Sequence, residues 1–200
     1  NKAVGAVVFD GESHIPGIIE ENKTEEQWFN TFKLSPLFSD KYKACQMMAE
    51  DAILRNDLVA LALDDSYYFF RDFAINAMMQ NMVPAEFVQN IKTKSEKDEH
   101  SLVRESAVRA LGSMEVADKT SIYKRILTNE KAYNVIGEAL SQLFMESPED
   151  ALAIGEKLAT ENTAFLNRKR DAVYCNELFE SFRYPAGDYR ICHGYHQLIS

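Results

Sequence analysis

Two histidines three residues apart, His193 and His196, stand directly after Cys192 near the end of the sequence. On a helix that spacing would let both imidazoles reach one metal ion, with the Cys192 thiolate as a third ligand. Gly194 between them and the turn-forming surroundings argue against the rigid helix such a site needs, so no metal site is expected. A second candidate chemistry belongs to Arg71 and Arg104, which occupy equivalent places in successive repeats. Stacked along one face, the two guanidinium groups could pair with acids such as Asp40, Asp72 and Glu105 in an inter-repeat ladder. Alternatively they could line a concave groove and bind a peptide carboxylate through bidentate hydrogen bonds, which makes them the candidate peptide-binding residues.

Other reactive types point to structure. The acid pairs Asp64-Asp65 and Glu149-Asp150 fall where helices should begin, and a carboxylate there complements the helix dipole. His14 and His100 are isolated and read as surface residues. There is no His-Glu-x-x-His, no Gly-x-Ser-x-Gly elbow, no phosphate loop and no dinucleotide fingerprint, so no catalytic residue and no cofactor is expected within this chain. Cys45, Cys175 and Cys192 are odd in number and form no Cys-x-x-Cys pair, which indicates neither a disulfide framework nor a zinc knuckle. Cys45 sits in an apolar helical pattern and reads as a small core residue.

The elements that would position these groups follow from a repeat. Alanines at 44, 74, 107, 139 and 172 centre five alignable segments, spaced 30, 33, 32 and 33 residues apart. Four residues after each come Met48, Met78, Leu111, Leu143 and Asn176; four before come Asp40, Phe70, Val103, Val135 and Arg168. Apolar residues at this spacing make one helical stripe, and alanine on the stripe lets a neighbouring helix approach closely. A shorter outer helix precedes each inner one. Thr24-x-x-Gln27 is a capping box ahead of Trp28, Phe29 and Phe32. Asn56 or Asp57 opens Leu58–Leu63, Pro84 opens the segment holding Phe87, Val88 and Ile91, Asp118 leads into Ile122 to Leu127, and Ser147-Pro148 opens the last. The fold class expected is all-α, a HEAT/ARM-like right-handed α-α solenoid of about five helix pairs over residues 22–183.

Residues 1–21 break the pattern. Ala3–Phe9 and Ile15–Ile19 around Asp10-Gly11 read as a short N-terminal β-hairpin, taken as the end of a preceding β-domain. The polar run Lys92–Glu99 reads as a loop between helices, and residues 184–200 as a C-terminal tail of unassigned structure. With 31 acidic against 22 basic residues the formal net charge is −9, which disfavours a general nucleic-acid partner because phosphate neutralisation needs clustered cations. The one basic cluster, Arg168-Lys169-Arg170, is short and reads as a solvated helix start. No apolar run reaches the length of a membrane span. The chain begins at Asn1 without an initiator Met or signal pattern, as a fragment of a longer protein would, so its location is open.

The chain resembles the C-terminal helical-repeat region of zinc aminopeptidases of the aminopeptidase N class. The residues that carry the likeness are a strand ending Val7-Val8-Phe9-Asp10, a helix with Glu26-x-Trp28, a helix opening Tyr42-Lys43-Ala44-Cys45, and later segments around Asp65-Ser66-Tyr67 and Asn129 to Val135. The resemblance implies a peptidase domain upstream, joined through a β-domain, with zinc bound there and not here. It also implies a non-catalytic role: enclosing the catalytic chamber and limiting peptide access, with the upstream domains, and peptide substrate, as partners. Gly112-Ser113-Met114-Glu115 is similar to that family's substrate-terminus motif, but Val116 follows and the tetrapeptide ends a repeat helix, so no role is carried over. The rival reading is a HEAT-type scaffold that binds a protein or peptide partner outside any peptidase.

Overall fold

The computed structural model describes residues 21–51, 53–80 and 84–161. Those residues are all-helical, without a strand among them. The hairpin expected over 1–21 lies almost wholly outside the described residues, as do the fifth repeat centre Ala172, the tail 184–200 and the Cys192/His193/His196 cluster.

Local sequence explains the helix boundaries. Helix α1 (Glu25–Leu34) opens on the expected box: the Gln27 amide donates to Thr24 Oγ1 at 3.3 Å and the Thr24 amide to Gln27 Oε1 at 2.8 Å. Ser35-Pro36 ends it, because proline disfavours a helical residue before it. After α2 (Phe38–Glu50), Asp51 Oδ1 accepts the amides of Ile53 and Leu54, so α3 (Leu54–Ala62) starts two to three residues before the Asn56 or Asp57 expected. Helix α4 (Tyr68–Met78) follows, then a single 3-10 turn Ala85–Phe87 after Pro84 and α5 (Val88–Lys97). The loop expected over Lys92–Glu99 is therefore corrected: the segment stays helical to Lys97. It is polar because it is the solvent side of a helix whose inward positions are Ile91 and Ser95, both fully buried. Beyond it come α6 (Ser101–Gly112), α7 (Lys119–Asn129) and α8 (Tyr133–Glu146).

These eight helices belong to one compact unit. Each odd-numbered helix packs on the even one after it, and α2 meets α4, α4 meets α6, and α6 meets α8. Ala44, Ala74, Ala107 and Ala139 are all completely buried, and so are Met48, Leu111 and Leu143 four residues on, with Met78 at 2%. A methyl group at the crossing point keeps the helix axes close, and the larger side chain one turn on fills the adjacent hole. Asp40 replaces the apolar residue of the first repeat; it is buried and accepts the Ser35 hydroxyl. At one end, Trp28 and Phe32 of α1 close the core, with Phe32 edge-on to Phe70 at 5.4 Å. Helix α9 (Pro148–Glu161) lies in a second unit and begins at Pro148, as expected, with the Ser147 hydroxyl 2.7 Å from Asp150.

Candidate functional site

Arg71 and Arg104 are the fourth residues of α4 and α6, and their guanidinium groups turn toward the loops ahead of α6 and α8. Arg71 Nε and Nη2 donate to Asp98 Oδ2 and Oδ1 at 2.9 and 2.8 Å, and Nη2 also reaches Glu99 at 3.1 Å. Its Nη1 donates to the carbonyls of Asp65 and Ser66. Arg104 repeats the arrangement one step on: Nε and Nη2 meet Glu130 at 2.6 and 3.0 Å, and Nη1 meets the carbonyls of Asp98 and Glu99. Lys41 holds the same place in α2 and reaches Asp65 at 2.9 Å. The cations therefore form an inter-repeat ladder. Its acids are Asp65, Asp98 and Glu130, not Asp40, Asp72 and Glu105, because the loop acids are the ones that also accept amides of their own turn. Asp65 accepts from Tyr67, Asp98 from His100, and Glu130 from Lys131 and Ala132.

Arg71 and Asp98 have side chains only 6% and 4% exposed. Burial works to raise the Asp98 carboxyl, but the bonds from Arg71 and from the His100 amide overcome it and hold the group below the usual carboxylate range. Glu130 is held low in the same way, by Arg104 and the two amides acting against burial. The Arg71 guanidinium is raised, first by its bonds to Asp98. A peptide carboxylate arriving at Arg71 would have to displace Asp98 from a bidentate, largely dry contact. An open pocket of about 280 Å³ lies beside the ladder, lined by Glu96, Asp98, Arg104, Arg125, Asn129 and Glu130 among others. Its named charges are matched internally, with Arg125 bidentate on Glu96 at 2.8 and 3.2 Å.

Partly exposed aromatic surface lies on α2 and the start of α4. Phe38 and Tyr42 of α2 stack at 5.9 Å, and Phe38 meets Tyr67 at 5.8 Å and Phe69 at 5.2 Å. Tyr42 meets Phe69 and Phe73 of α4 at 5.6 and 6.2 Å. These five rings form one cluster; Phe38 is 48% and Tyr67 45% exposed, and Tyr42, Phe69 and Phe73 are partly buried. The seams toward α6 and α8 are polar. The Ser106 hydroxyl donates to Asp72 at 2.5 Å, Asn134 to Glu105 at 2.7 Å, and Arg109 bridges Glu105 and Glu138 at 2.8 and 3.1 Å. Sequence reasoning missed this cluster. Its signal was the run Tyr68-Phe69-Phe70 with Tyr67 just ahead of the helix, since successive residues on a helix point about 100° apart and cannot all face one core.

Groups with other chemical promise are quiet. Burial pushes the Cys45 thiol up to about 12, which leaves it protonated and unreactive at neutral pH. Tyr123 is fully buried, and among the described residues its hydroxyl is the buried side-chain polar atom without a hydrogen-bond partner. Burial, then Glu146 and Glu138, push its phenol up as well. His100 accepts the Leu102 amide at the start of α6 and stacks on Tyr68, so it is a helix cap and not an isolated surface residue. Among the described residues no group of three or more His, Cys, Asp or Glu is placed to hold a metal ion, and no helix is long and apolar enough to cross a membrane. No family model, curated protein or solved structure matches the chain.

Proposed function

We propose that the chain is a non-catalytic helical-repeat domain, a solenoid of HEAT/ARM type, that works by holding a polypeptide on the exposed face of its inner helices. The observation that carries this reading is the aromatic cluster on α2 and the start of α4, whose Phe38 and Tyr67 rings stay exposed. Contiguous exposed aromatic surface costs solubility, and it is the kind of surface on which protein contacts concentrate their binding energy. The solenoid reading draws support from the way α2, α4, α6 and α8 follow one another in contact, joined by a ladder whose rungs each link one repeat to the next.

A second reading places the same face inside a zinc aminopeptidase-like protein, as a wall of the catalytic chamber, with zinc in a peptidase domain upstream. It draws on the likeness carried by Glu26-x-Trp28 and Tyr42-Lys43-Ala44-Cys45, whose Trp28, Ala44 and Cys45 share one core cluster. Peptidase assays with added zinc, on the longer gene product and on this chain, separate the readings. Turnover in the longer product alone, with altered peptide-length selectivity in a Phe38→Ala/Tyr67→Ala variant, supports the chamber wall. No turnover in either supports a scaffold that acts on a separate partner. Turnover by this chain alone would overturn both.

A further inference from the structure

We infer that the inner-helix face selects a peptide segment carrying arginine or lysine beside aliphatic, aromatic or prolyl side chains. The inference rests on the polypeptide-binding reading above and adds the chemistry of the partner. The face has two halves. On the α2–α4 side the rings of Phe38, Tyr42, Tyr67, Phe69 and Phe73 offer apolar contact and aromatic faces to which a guanidinium is attracted. On the α4–α8 side the charge is negative. Arg109 is shared between Glu105 and Glu138, and Asp72, on the same helix as Phe69 and Phe73, meets the neutral Ser106 hydroxyl. Of the two cations of α2, Lys41 lies over the Phe70 ring at 5.4 Å and is held by Asp65, and Lys43 is held by Glu21.

Both halves therefore suit one cationic, apolar segment, and the formal charge of −9 on the whole chain steers such a ligand toward it. An anionic partner would meet Asp72, Glu105 and Glu138 against the single cation Arg109, and like-charge juxtaposition disfavours it.

The test is fluorescence anisotropy of the 200-residue chain with labelled synthetic peptides of equal length. One peptide alternates arginine with leucine and proline, the second has glutamate in place of arginine, and the third has serine in place of leucine. The first should bind at least about tenfold more tightly than the others and weaken with added salt. Phe38→Ala/Tyr67→Ala and Asp72→Asn should each reduce its affinity about fivefold or more, with the helical circular dichroism spectrum retained at the assay temperature; Phe38 and Tyr67 are 48% and 45% exposed. Equal binding of the glutamate peptide, still lost in the aromatic variant, would overturn the cationic class while leaving the polypeptide-binding face standing. Binding of the arginine peptide that neither variant changes would overturn both. No peptide binding, with self-association on sedimentation that the aromatic variant abolishes, would make a second copy of this chain the occupant and overturn the proposal.

Discussion

The ladder turns on the difference between a surface ion pair and a buried one. Exposed pairs contribute little, but Arg71 and Asp98 are almost without solvent, so removing one partner strands the other. Arg71→Ala is expected to cost about 3 kcal/mol in urea unfolding. Arg71→Lys should recover only part of that, because a compact ammonium cannot span two carboxylate oxygens and two carbonyls together. A loss below about 0.5 kcal/mol would mean that the rung is ornamental. The pH dependence follows with a definite sign. Asp98 and Glu130 titrate lower folded than unfolded, so between the two values the unfolded chain binds more protons. Their contribution is complete above the ordinary carboxylate range and is lost as pH falls from about 4 through the folded values. Urea midpoints measured down that range should fall less steeply in Asp98→Asn than in the native chain; parallel curves would remove Asp98 from the acid limb.

At the scale of elements, the repeat register is set by side-chain volume. The four aligned alanines are wholly buried at helix crossings, and no charge placed there could reach water. Ala107→Glu is expected to cost about 3 kcal/mol or more, or to prevent folding, read from thermal or urea melts. Melting like the native protein would refute the register. Gly112 is a milder case at the α6–α8 contact: a β-carbon there would meet the far end of the Gln142 side chain, which can swing aside. The polarity of Lys92–Glu99 shows the limit of reading composition as loop. Lys92 and Glu96 reach Asp118 and Arg125, Lys94 reaches Asp64, and a helix supplies the spacing for all three contacts.

For the whole molecule, the central expectation is that integrity comes from packing and ion pairing and needs no metal. Added chelator should leave the melting temperature unchanged, by calorimetry on the full chain. A clear fall would direct attention to Cys192, His193 and His196. The polypeptide-binding and chamber-wall readings both use the face of α2 and α4, so they differ in where the partner comes from and not in which residues meet it.

Much of the helical plan was legible in one sequence. The Thr24–Gln27 box, the Ser147-Pro148 start and the alanine spacing are local signals: a cap is made within four residues, and a stripe repeats with the helical period. The sequence by itself thus determined helix type, register and the positions that must be small. The tertiary structure alone decided what the polar residues do. Asp65, Asp98 and Glu130 lie 24 to 27 residues from their cations, and only helix stacking brings them to hydrogen-bond distance. Likewise, composition gives the number of aromatic residues, but which rings the core leaves outside depends on how α2 and α4 rotate against each other, because burial is a property of neighbours and not of the residue.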